Sequence, residues 1–257
     1  MAIHGRQLRT AFRRRLFKGL VALRGAKAVC TADVYGYAVR LSLNEQIQMD
    51  IALGIYELEE SKWVEGLLQP GMVVLDVGAN VGYYSLLAAS RVGTKGKVIA
   101  FEPSPYCQRR LEETIRTNSI PQISIESVAL GDQPGNLELT VEHKGLHSPS
   151  FLAREGDISY MVPVVTLDSW MKMSGTGHVD LVKIDVEGFE PNVIRGAAGC
   201  LRGGRVDSIL CELNEIWLAR NSSSCEHLDK LIRSFGFAPV KTAEYVYHMN
   251  ILYSRSP

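Results

Sequence analysis

No stretch of this chain approaches the roughly 20 consecutive apolar residues that a membrane-spanning helix needs, so no span is expected. The five cysteines, Cys30, Cys107, Cys200, Cys211 and Cys225, are odd in number and scattered, with no C-x-x-C pair. That argues against a disulfide framework or a cysteine zinc site and favours a reducing, cytoplasmic compartment. Internal repeats and linker-like runs are also missing, which suits one principal domain in 257 residues. Acid is absent from the first 30 residues, which hold eight of the 28 Lys and Arg. Residues 31–257 therefore carry 20 Lys and Arg against 28 Asp and Glu, a net of −8 beneath a formal total of zero. An acidic core without a basic-aromatic surface speaks against a nucleic-acid partner. Composition carries no signal for oligomeric state.

The apolar fraction of 46% is that of a globular protein. In the basic segment, residues 1–30, Leu8, Phe12, Leu16 and Leu20 recur every four positions, the spacing of an amphipathic helix. Such a helix could touch an anionic membrane or acidic partner through residues 1–27, act as a presequence, or pack on the domain. Residues 31–70 read as a strand over 35–43 and one or two helices over 46–68, packing on a core domain of residues 71–257.

From 73 onward strands alternate with helices. Strands are expected over 73–77, 97–102, 123–130, 181–185 and 208–212, and helices over 81–91, 105–117, 168–173, 191–201 and 225–235. Strands over 136–142 and 160–165, joined by a loop around Gly145–Ser150, interrupt the alternation. A terminal antiparallel hairpin is expected from 238 to 253. The pattern implies an α/β fold with a doubly wound, mostly parallel sheet.

Three motifs carry chemistry. In the first, Val73-Val74-Leu75-Asp76-Val77-Gly78-Ala79-Asn80-Val81-Gly82-Tyr83-Tyr84, a buried strand delivers a carboxylate and then a glycine-rich turn into a helix. Such a turn lets a ligand approach the backbone and offers helix N–H groups. Its G-A-N-V-G spacing departs from the dinucleotide G-x-G-x-x-G, which disfavours a nicotinamide-dependent oxidoreductase without removing it. The acid ahead of the first glycine suits an amino group. In the second, Glu102 closes the next strand 26 residues after Asp76, where a carboxylate accepts from ribose hydroxyls. In the third, Lys183 and Asp185 share one face of an apolar strand, costly unless paired. A structural ion pair remains the other reading of Lys183. Asp185 falls at the carboxyl end of its strand, where such sheets bind ligands.

Together LDVGANVGYYS, AFEPSP, VALGD, VTLDSW, VDLVKIDVEGFEPNVIRGA and CELNE resemble, in this order, the FkbM-type methyltransferases, from about Leu68 to Val240. The resemblance implies a class I, Rossmann-like methyltransferase fold with S-adenosylmethionine as cofactor. It implies methylation of a hydroxyl on a sugar, glycan or secondary metabolite. Asp76, Gly78, Asn80, Gly82 and Tyr83 would hold the methionine part, Glu102 the ribose, and Ser127 and Val128 the adenine. Asp185 would face sulfonium and acceptor. For the proton acceptor the candidates are Asp185, Glu187, Glu212 and His147, with Lys183 beside them. A Mg²⁺ variant would draw on Asp185, Glu212 and Asn214 from adjacent strands. A catalytically silent cofactor-binding module is the remaining class.

Overall fold

The computed structural model describes residues 28–141 and 158–255. The basic segment therefore falls outside the described residues, apart from its last few, and so do the Gly145–Ser150 loop and His147.

The chain opens with a hairpin, β1 (Val29–Val34) and β2 (Tyr37–Ser42), in register from Val29 opposite Ser42 to Val34 opposite Tyr37. Only the second half was expected from sequence. The turn is Tyr35-Gly36 with both φ positive (56° and 86°), the conformation two-residue hairpin loops favour. Its Tyr at the first position hides the signal that Asn-Gly would have given. Helices α1 (Gln46–Ala52) and α2 (Leu58–Leu67) follow, separated at Leu53–Glu57.

The core is a seven-stranded sheet among the described residues. It comprises β3 (Val73–Val77), β4 (Lys97–Phe101), β5 (Ile123–Glu126), β9 (Val179–Ile184), β10 (Val206–Asn214), β11 (Phe237–Glu244) and β12 (His248–Arg255). In spatial order these run β11-β12-β10-β9-β3-β4-β5. Five strands pair in parallel, and β12 pairs antiparallel with both β10 and β11. Strand order reverses between β3 and β9, the crevice where such sheets bind ligands beyond the strands' carboxyl ends. Cores on both faces bury Leu75, Val77, Phe101, Val182 and Ile184 on one side and Val74, Val98, Ala100, Leu181 and Leu210 on the other. Helices α3 (Tyr83–Val92) and α4 (Pro105–Asn118) follow β3 and β4. Pro105 opens α4 in the first turn, where a missing N–H costs nothing.

The strand expected over 123–130 breaks at Ser127–Val128. Its last residues form β6 (Ala129–Leu130), which leaves the main sheet and pairs with β8 (Ile158–Val165), itself antiparallel to β7 (Gly135–Val141). The helix expected over 191–201 likewise divides into α6 (Glu190–Gly196) and α7 (Ala198–Arg202), after α5 (Leu167–Ser174). Helices α8 (Glu215–Arg220) and α9 (Cys225–Arg233) complete the set. No helix among the described residues is long and apolar enough to cross a membrane.

Candidate active site

A cavity of about 1190 Å³ opens at the carboxyl ends of β3 and β9. Its walls come from separated stretches: the link between α1 and α2, the turn after β3, the ends of β4 and β9, and the tip of the β11–β12 hairpin.

Asp76, the penultimate residue of β3, is 1% exposed. One carboxylate oxygen, Oδ2, accepts from Ser85 Oγ at 2.6 Å, while Oδ1 is buried with no hydrogen-bond partner among the described residues. Burial raises its pKa, and Lys183 pulls it back down. The turn that follows is shaped by Gly78, with φ at 80°; a Cβ there would stand 2.0 Å from the backbone oxygen of Asp185. The turn and the end of β9 therefore touch through backbone, tied by Asp185 N donating to Val77 O at 3.1 Å.

Glu102 sits just past β4, 3% exposed. Its Oε2 accepts from Asn80 N at 2.7 Å and its Oε1 from Ser104 N at 2.8 Å. Burial pushes its pKa up to about 7 against those two bonds. Phe101, Val128, Leu130 and Leu139 give this side of the cavity an apolar lining. An orphaned buried carboxylate oxygen, a fixed carboxylate and an apolar slot match the amino group, ribose hydroxyls and adenine of S-adenosylmethionine, so these residues fit that cofactor.

The other end is rich in acid and tyrosine. Lys183 Nζ donates to Asp185 Oδ2 at 2.9 Å and lies 5.1 Å from the centre of the Tyr84 ring. Burial would lower the Lys183 pKa, but Asp185, Asp76 and Glu57 together raise it, so it stays charged. Glu212 faces Asp185 and Glu57, and burial with those charges drives its pKa well up. His248 Nε2 stands 3.7 Å from Glu212 Oε1. Burial lowers the His248 pKa despite Asp185 and Glu60.

The cavity thus gathers Asp76, Gly78, Asn80, Tyr83, Glu102, Val128, Lys183, Asp185, Glu187 and Glu212 of the residues expected from sequence. Gly82 lies behind the wall, where a Cβ would meet Leu111 Cδ1 at 2.4 Å, and Ser127 is exposed outside it. Asp185, Glu212 and Asn214, the set named for Mg²⁺, all line the cavity, and Asn214 Oδ1 also caps α8 by accepting from Ile216 N and Trp217 N. Among the described residues, the one group of three His, Cys, Asp or Glu ligand atoms within 4.8 Å is His178, Asp180 and Asp207. These sit at the opposite, amino ends of β9 and β10.

Several lining residues escaped the sequence. Tyr56 and Glu57 sit on the link between helices, Tyr245 and His248 on the hairpin, and none belongs to a motif. Glu190 also went unread. It is 1% exposed, its Oε1 accepts from Val186 N and Gly188 N at 3.0 and 3.1 Å, and burial lifts its pKa to about 7. It holds the Asp185–Phe189 loop in shape. A carboxylate closing a glycine-containing loop five residues after Asp185 was the available signal.

The methyltransferase FkbM domain matches residues 76–239. Hexuronic acid methyltransferase AglP of Haloferax volcanii is 25% identical over 188 residues, spanning 71% of this chain and 73% of AglP. The 2-O-methyltransferase NoeI of Sinorhizobium fredii is 24% identical over 177 residues, 61% of this chain and 71% of NoeI. AMB antimetabolite synthetase AmbE of Pseudomonas aeruginosa is 27% identical over 209 residues, and this chain spans 10% of its length. The structure of methyltransferase FkbM from Methylobacillus flagellatus superimposes with a TM-score of 0.50 at 13% identity, covering 81% of this chain and 52% of that one. The match in fold and in motif sets the nicotinamide alternative aside. The chain belongs to the FkbM family of S-adenosylmethionine-dependent methyltransferases, with the class I α/β fold.

Proposed function

We propose that this chain transfers a methyl group from S-adenosylmethionine to a hydroxyl oxygen of a sugar, glycan or similar small metabolite. The observation that carries this reading is the division of one cavity into two chemically distinct ends. One end has an apolar slot beside Glu102 and the half-satisfied Asp76. The other has tyrosines, carboxylates and the Lys183–Asp185 pair. Two relatives are named for sugar-acid and 2-O methylation, which agrees with an oxygen acceptor.

Bound in the cavity, the cofactor supplies a methyl group already activated as a sulfonium. Asp76 Oδ1 would accept from its amino group, with Gly78, Asn80 and Tyr83 bordering that part. Glu102 would accept from the ribose hydroxyls, and Val128, Phe101 and Leu130 would cover the adenine. Lys183 fixes the Asp185 carboxylate towards the reacting centre, and Glu187 and Glu212 extend that acidic wall. The protein's contribution is mainly alignment of donor and acceptor and management of one proton.

Calorimetric titration with S-adenosylhomocysteine, repeated on Glu102→Ala, tests the donor half. Micromolar binding that falls at least tenfold in the variant is the expected result; no heat from well-folded wild type overturns the reading. Transfer of tritiated methyl to neutral, acidic and amino methyl glycosides tests the acceptor half.

A further inference from the structure

We propose that Glu57 is the group that takes the proton from the acceptor hydroxyl. The inference rests on the methyl-transfer reading above and names a residue from outside the family match, which begins at residue 76.

Three features of the backbone and packing point to it. Glu57 occupies the N-cap of α2, where a side-chain oxygen ordinarily accepts from the first free N–H groups. It makes no such bond. The residue instead adopts φ 38° and ψ 52°, a left-handed conformation uncommon outside glycine, asparagine and aspartate. Strain of this kind in a long side-chain residue gathers at functional sites, held by its surroundings. The result is a carboxylate on the cavity wall rather than on its own helix.

The surroundings hold it there. Tyr84 Oη donates to Glu57 Oε2 at 2.6 Å, and the Glu57 charge acts on the neighbouring Tyr56 hydroxyl. Lys183 on β9, Asp185 just past it, Glu212 on β10, Glu60 on α2, Tyr83 on α3 and Tyr245 on the terminal hairpin are the other titratable groups that face it. Of the neighbouring acids, Asp185 Oδ2 carries the Lys183 ammonium, and Glu212 stands against His248. Burial raises the Glu57 pKa to about 7, with Asp185 raising it further and Lys183 opposing. A carboxylate in that range is charged enough to accept a proton near neutrality and basic enough to hold it.

The step balances simply. The hydroxyl O–H bond breaks and its proton passes to a Glu57 carboxylate oxygen. The freed oxygen pair forms the new O–C bond to the methyl carbon. The C–S bond breaks with its pair remaining on sulfur, whose positive charge is thereby lost. Glu57 returns the proton to water after product leaves.

Glu57→Gln provides the test, and two of its three readouts need no acceptor. By calorimetry, S-adenosylhomocysteine binds the variant within about threefold of wild type; a loss beyond tenfold places Glu57 on the donor and overturns the proposal. With carboxyl-¹³C glutamate, the resonance missing from the variant titrates in wild type near pH 7; a midpoint near 4.5 overturns it. With tritiated donor and the methyl glycosides above, wild-type transfer falls as pH drops below about 7. The variant loses at least a hundredfold with donor KM unchanged, and retained transfer overturns the proposal. If no glycoside is methylated, the calorimetry and the ¹³C titration decide. Failure of wild type to bind S-adenosylhomocysteine is a different outcome, and it removes the methyl-transfer reading itself.

Discussion

Three carboxyl groups, Glu57, Glu102 and Glu190, have pKa values pushed up to about 7 by burial, from an ordinary value of 4.5. A folded-state pKa above the unfolded one means that the native protein holds protons that the unfolded chain releases. The stabilisation is complete below about pH 4.5 and is lost as pH rises through about 7. The ligand-free protein should therefore melt at progressively lower temperature between pH 5 and 8. Glu190→Gln should flatten that dependence by removing one of the three groups, which calorimetric scans across pH would register. Lys183 poses the opposite problem, since its ammonium offsets a cluster of acids. Lys183→Met should cost ~2–3 kcal/mol in urea unfolding, towards the low side for a broken buried pair because Asp185 is 24% exposed. At this scale the motifs were informative for most residues in them, Glu190 and Gly82 excepted. Asp76, Glu102, Lys183 and Asp185 were all legible because strand periodicity placed them at carboxyl ends. Glu57 and His248 were not, because an acid after a tyrosine on an irregular link, or a histidine opening a strand, has no spacing to betray it.

Among the elements, the turn after β3 and the loop after β9 behave as one unit, packed backbone to backbone. Gly78→Ala would press a methyl against the Asp185 carbonyl. It should destabilise the fold by about 3 kcal/mol or more and weaken S-adenosylhomocysteine binding together with it. A second junction links α2 to the terminal hairpin through Glu60, which is fully buried. Its Oε1 accepts from Tyr245 Oη at 2.7 Å and Asn250 Nδ2 at 2.9 Å. Glu60→Ala should cost ~2 kcal/mol by leaving both donors without their partner. Element type was readable along most of the chain, since the β-α alternation is strongly periodic. Breaks were not. The split of 123–130 into β5 and β6 follows from the chain leaving one sheet for another, and the split of 191–201 from Gly196 packing against Gly131 O, where a Cβ would stand 1.9 Å away. Both are tertiary events with no local signature.

For the molecule as a whole, the cavity exists only because segments distant in sequence converge on it. Its walls draw on residues 47–59 and 242–248, both outside the family match of 76–239. The walls built by β3, β4, β9 and β10 were therefore legible from sequence, and those supplied by residues 47–59 and 242–248 were not. A ligand that fills the donor end should raise the melting temperature. At a hundredfold excess over Kd, S-adenosylhomocysteine should add about 2.7 kcal/mol, or roughly 5–10 °C for a chain of this size. The position of β12 has one more consequence. Although it occupies residues 248–255, it lies inside the sheet, between β10 and β11. During synthesis the ribosome delivers every motif that lines the cavity well before this strand, and β11 emerges with no neighbour to pair with. A chain halted before β12 would leave β10 with a raw edge, so selection on nascent-chain solubility should bear on β11 and β12 as well as on the motifs.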